Sequence, residues 1–155
     1  MNKKTFYEEL LMSWEELIHG IKDRIPLLAN TTAVIHNSLK NHWTGFYLVK
    51  EDVLVLGPFQ GPAACCYIPQ GKGVCGTAWR FGRSIIVPDV HEFPDHIACS
   101  SLSNSELVIP IKNNRKEVVG VLDLDSEKLN AFDETDCYYL EQLVSKLGVI
   151  WNELQ

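Results

Sequence analysis

Two strand–turn–strand segments constrain this chain more than any other feature. TGFYLV and DVLVLG are short runs of β-branched and aromatic residues separated only by Lys50 to Asp52. ELVIPIK and EVVGVLDLD repeat the pattern around Asn113-Asn114, a pair suited to a turn. Two hairpins commit the chain to an antiparallel sheet, and a sheet must bury at least one face. Cover is available at both ends. Thr5 with Glu8 reads as a capping box, and Leu10, Trp14, Leu17 and Ile21 follow at helical spacing. Pro26 can start a second helix toward Leu39. From Asp133 to Leu154, residues Tyr139, Leu140, Leu143, Leu147 and Ile150 mark one side of a last helix. Ala63 to Pro69 and SIIVP supply two more strands. A short helix is expected around Thr77 to Phe81, and a polar loop from Asp89 to about Asn104. The expectation is an α+β fold: a six-stranded antiparallel sheet with the N- and C-terminal helices on one face and a loop-covered pocket on the other.

The chain's 155 residues fit one domain spanning 1–155, and no repeat or linker divides them. A net charge of -6 gives no basic footprint for nucleic acid or an anionic membrane. Acidic residues recur through MNKKTFYEELLMSWEEL, which therefore reads as neither a signal peptide nor a membrane span. The expected compartment is the cytoplasm, where thiols stay reduced. Five cysteines is an odd number and suits a structural disulfide framework poorly, so a transient, catalytic disulfide is the better expectation. The terminal helices, with Trp14 and Trp151, offer either a homodimer face or cover for the sheet.

Several side chains could carry chemistry. Asp123 and Asp125 are two residues apart on a strand and share a face; Val118, Gly120, Leu122 and Leu124 take the other. Paired carboxylates repel unless a cation lies between them, so the pair reads as a receptor for an ammonium group or a metal; the same spacing fits a solvated strand end. If the last hairpin turns at Asn113-Asn114, Glu106 comes near Leu122 and Asp123. There it would raise a neighbour's pKa enough to hold a proton at neutral pH. Trp43 and Tyr47 share a face, with Gly45 leaving space between them: an aromatic wall for a cationic or thioether group, or ordinary core. Cys65 lies in a strand with Cys66 on its opposite face, Cys75 lies near a glycine-rich turn, and Cys99 lies in the polar loop close to His91 and His96. Cys137 reads as a small core residue. His91, His96 and Cys99 match no strong zinc spacing, so no metal is expected. Ser100, Ser101, Ser103 and Ser105 form no serine-hydrolase elbow.

Taken together, WTGFY, GPFQGPAAC, IPQGKGVCGTAW, VPDVHEFPDHIAC and SNSELVIPI followed by GVLDLDS resemble the free methionine-(R)-sulfoxide reductases, a family of GAF-domain proteins. The resemblance covers most of the chain and implies a single GAF domain. It implies Cys99 as nucleophile, Cys65 as its main resolving partner and Cys75 as an auxiliary cysteine. It implies Trp43, Tyr47, Glu106, Asp123 and Asp125 as substrate-binding residues, no bound cofactor, and thioredoxin or another dithiol as external reductant. Two positions depart from the family pattern: Ser100 replaces an acidic residue, and Asp95 replaces a glycine. A GAF-type sensor without chemistry and a thiol redox sensor are the rival readings.

Overall fold

The sheet is built from the hairpins outward. In the computed structural model, which describes residues 1–96 and 101–155, strands β1 (Trp43–Lys50) and β2 (Val53–Gln60) form the first hairpin. Strands β5 (Ser105–Lys112) and β6 (Val118–Ser126) form the second. Two three-residue strands, β3 (Tyr67–Pro69) and β4 (Ile85–Val87), complete an antiparallel sheet in the order β3-β2-β1-β6-β5-β4. The first and last long strands are thus central neighbours, so the sheet closes only through the non-local β1–β6 pairing.

Helices α1 (Lys3–Ile18), α2 (Arg24–Leu39) and α4 (Glu134–Ile150) cover one face. Their apolar stripes enclose Phe46, Leu107, Ile109, Ile111, Leu122 and Leu124. Each helix has a local reason to start. Asn2, rather than Thr5, caps α1 by accepting the Thr5 N–H. Asp133 and Asp136 form a reciprocal capping box on α4. α2 starts two residues before Pro26, within the first turn where proline is tolerated. Trp14 is fully buried and donates its Nε1–H to Thr31 Oγ1 at 2.9 Å; Trp151 is buried beneath the Arg24 guanidinium. Both indoles therefore cover the sheet and are unavailable as a dimer face.

Helix α3 (Gly73–Phe81) lies on the opposite face, packing Val74, Cys75, Ala78 and Trp79 against Val87, Val108 and Val121. Three sequence expectations shift here. Helix α3 begins four residues before Thr77, so Cys75 is a helical residue. The third strand covers only Tyr67–Pro69, so Cys65 and Cys66 precede it. Val118 packs on the α3 side, because the β5–β6 register slips between Ile111 and Lys112 and a one-residue slip reverses side-chain alternation. No described helix is long and apolar enough to cross a membrane.

Candidate active site

The α3 side of the sheet holds a small pocket lined by Trp43, Tyr47, Cys75, Glu106, Asp123 and Asp125. Strand alternation delivers its floor. Trp43 pairs with Asp125, Gly45 with Asp123, Glu106 with Asp125 and Val108 with Asp123, so three carboxylates and two aromatics from three strands emerge on one surface. In register Glu106 pairs with Asp125, and its carboxyl also lies beside that of Asp123, as expected. The hairpin turn is longer than Asn113-Asn114: the Asn113 side chain accepts the N–H groups of Arg115 and Glu117, and Lys116 takes a left-handed conformation. That loop and the adjacent bulge move the register.

The aromatic wall is closed. Trp43 and Tyr47 stack at 5.9 Å between centroids, Phe59 also stacks on Trp43 at 5.3 Å, and both Trp43 and Tyr47 are buried. Gly45 leaves no gap: a side chain there would overlap the far edge of the Trp43 indole, which lies over the glycine. Trp43 donates its Nε1–H to the Pro62 carbonyl at 3.0 Å, and Tyr47 donates its hydroxyl to the Cys65 carbonyl at 2.8 Å. The wall thus holds the segment leading to Cys65.

Electrostatics set the character of the floor. Glu106 and Asp123 are each 6% exposed. Burial, then repulsion from Asp123 and Asp125, pushes the Glu106 carboxyl well above the ordinary carboxylate range. Burial followed by repulsion from Asp123 does the same to Asp125, offset in part by the Ser103 hydroxyl it accepts at 3.1 Å. Asp123 is raised by burial alone, against hydrogen bonds that favour its ionised form, and its Oδ1 has no hydrogen-bond partner among the described residues. The floor is a carboxylate cluster that retains protons, with its central member the readiest to ionise.

The cysteines separate by position. Cys75 is buried over the floor, and burial plus the charge of Asp123 pushes its thiol well above the usual value. Cys65 is half-buried and disulfide-bonded; Cys66 is an exposed thiol, and Cys75 and Cys137 are buried thiols. Cys137 rises to about 12 through burial and the neighbouring Glu141. Cys99 and Ser100 lie outside the described residues. His96 lines the cavity with a buried, unpartnered Nδ1 among the described residues, and burial lowers its pKa. His91 is exposed and hydrogen-bonded to Asp89, and its charge adds to burial in lowering the His96 pKa. Asp95 has φ +57°, a conformation glycine adopts freely and aspartate tolerates, which accounts for its occupying a glycine position. Sequence reasoning missed Ser103 as a partner of Asp125. A serine-rich loop carries no signal for which hydroxyl will meet a strand 22 residues away.

A curled antiparallel sheet with helices on one face and a pocket on the other is the architecture of a GAF domain, and the GAF domain model matches residues 27–152. A Dictyostelium discoideum protein, GAF domain-containing protein A, is 52% identical over 147 residues, covering 94% of this chain and 92% of its own. Free methionine-R-sulfoxide reductase of Escherichia coli K12 is 45% identical over 150 residues, covering 95% of this chain and 89% of its own. The solved free methionine-R-sulfoxide reductase of Neisseria meningitidis, in complex with its substrate, superposes with a TM-score of 0.95 at 47% identity, over 99% of this chain and 92% of that one. The chain belongs to the free methionine-(R)-sulfoxide reductases, a family of GAF-domain enzymes.

Proposed function

We propose that this protein, a single GAF domain, reduces free L-methionine-(R)-sulfoxide to methionine through a cysteine sulfenic acid and an intramolecular disulfide, which thioredoxin or another dithiol recycles without a bound cofactor. The observation that carries the reading is the buried carboxylate floor beside the aromatic wall, with Asp123 Oδ1 lacking a partner among the described residues. A free amino acid brings the α-ammonium such a floor needs. A methionine within a peptide does not, which confines the substrate to the free form. Asp123 and Asp125 would pair with the ammonium, and Trp43 and Tyr47 would pack on the thioether end and help select the epimer.

In the first step the Cys99 thiolate attacks the sulfoxide sulfur. The sulfoxide oxygen takes a proton from a floor carboxyl; Glu106 or Asp125, both held far above the carboxylate range, can supply it. The sulfoxide S–O bond and the new S–S bond then break as the oxygen bonds to the Cys99 sulfur; Cys99 is left as a sulfenic acid, oxidised by two electrons, and methionine leaves reduced. The Cys65 thiol then attacks Cys99, forming the disulfide and releasing water; an external dithiol restores both thiols and is itself oxidised. The oxidised state of Cys65, beside free Cys66 and Cys75, supports Cys65 as the resolving residue and leaves Cys75 auxiliary.

The test is turnover of racemic free methionine sulfoxide by the reduced protein with a thioredoxin system, followed by NADPH loss. The proposal expects consumption to stop at half the substrate, none with Cys99→Ser, and little with N-acetylated methionine sulfoxide. Turnover unchanged in Cys99→Ser, or equal use of the acetylated substrate, contradicts it.

A further inference from the structure

Within the pocket proposed to take the substrate, a thiol and two carboxylates converge on a point. Cys75 Sγ, a Glu106 oxygen and an Asp123 oxygen all lie within 4.8 Å of one another, and all three residues are buried. Within that grouping, Asp123 Oδ1 is buried without a hydrogen-bond partner among the described residues, in a side chain that lines the cavity. An orphaned carboxylate oxygen in a dry site is costly unless a cation or donor occupies the space before it.

We propose that in the reduced protein Cys75, Glu106 and Asp123 form a binding site for one zinc ion inside the pocket. The donor set selects the metal. One thiolate and two carboxylates suit a borderline-soft ion with few ligands, whereas calcium and magnesium require six or more oxygens. Donor atoms around a tetrahedral zinc stand roughly 3.3–3.8 Å apart, so contraction by about an ångström closes the site. His96 lines the same cavity but stands outside the converging donors, so water would complete the shell. The three residues come from α3, β5 and β6, so the ion would pin the helix to the sheet.

Two consequences follow. A metal takes the thiolate and the carboxylates in place of their protons, so affinity rises with pH and protons are released on binding. The site also exists only while Cys75 is a thiol: a disulfide at Cys75 removes the sulfur ligand and ejects the ion. Zinc would occupy the ammonium position of the proposed substrate, but binding stands whether or not that substrate is correct.

The experiment is zinc titration by calorimetry on the fully reduced full-length chain, with cobalt(II) as a spectroscopic probe. Expected are one ion per chain and a near-ultraviolet thiolate-to-cobalt band. Cys75→Ser should abolish the band and weaken zinc by at least about a hundredfold, more than loss of an outer partner costs. Glu106→Gln and Asp123→Asn should each weaken zinc while keeping the band, which tests the site even if Cys75→Ser fails to fold. Cys66→Ser and Cys137→Ser should bind as the parent does. Absence of binding, a band that survives Cys75→Ser, or a band lost with Cys66→Ser overturns the proposal. Because these readouts do not use turnover, their failure is distinct from failure of the reductase reading.

Discussion

Glu106 shows most clearly how a single residue is set by its surroundings. Alone it is a carboxylate at a strand end; opposite Asp125 and beside Asp123, buried under α3, it holds its proton far above the usual range. The folded protein therefore binds that proton more tightly than the unfolded chain does. The stability this contributes is fully present below the ordinary carboxyl pKa and is lost as pH rises toward the folded value. Glutamine at the position cannot ionise. Glu106→Gln should be more stable than the parent by about 1–3 kcal/mol near about pH 8, with the gap closing toward about pH 5. Urea denaturation at the two pH values checks this; parallel pH dependence of variant and parent would show that Glu106 ionises as freely folded as unfolded. Catalysis should move the other way, with a loss of kcat if Glu106 is the proton donor, a trade-off expected of strained sites.

At the scale of elements, the sheet face with the pocket depends on how tightly the opposite face is clamped. Helix α4 crosses β5 at Gly148, where a side chain would run into the Lys112 carbonyl oxygen, a backbone atom that cannot swing away. Gly148→Ala should therefore destabilise the protein by about 1–3 kcal/mol, as overpacking does, despite alanine's better helix propensity. A urea midpoint equal to or above the parent's would refute that contact. Much of this level was legible in the sequence. Alternation identified the hairpins, and helical spacing identified α1, α2 and α4, because each pattern reports a face that must be buried. Asp123 and Asp125 shared their face as spacing required. What stayed hidden was anything resting on a loop's internal hydrogen bonds. The Asn113-centred turn and the bulge before Gly120 moved Glu106 opposite Asp125 and turned Val118 to the α3 side. The start of α3 was also hidden: Gly73 and Gly76 read as breakers, yet Gly76 sits where a side chain would meet the Pro69 carbonyl, so packing selects the glycine.

The whole molecule divides its labour between two cores on either side of one sheet. The larger, under α1, α2 and α4, is apolar apart from tied polar groups such as Tyr7, whose hydroxyl donates to Asp136 at 2.6 Å. The smaller, under α3, gives up apolar packing for a cavity floored by carboxylates and walled by Trp43 and Tyr47. One core holds the frame rigid, and the other holds buried titratable groups where polar interactions are worth more than in water. The central claim is that this space reduces a free amino acid's sulfoxide at the expense of two thiols of the same chain. A single turnover tests it most directly: fully reduced protein is mixed with one equivalent of free methionine-(R)-sulfoxide and no external reductant. Product methionine is then quantified and the cysteines mapped by alkylation and mass spectrometry. The account predicts one methionine per chain, loss of two thiols, and a peptide pair joining Cys65 to Cys99 with Cys75 still alkylated. No methionine, or methionine formed with all five thiols intact, would contradict it.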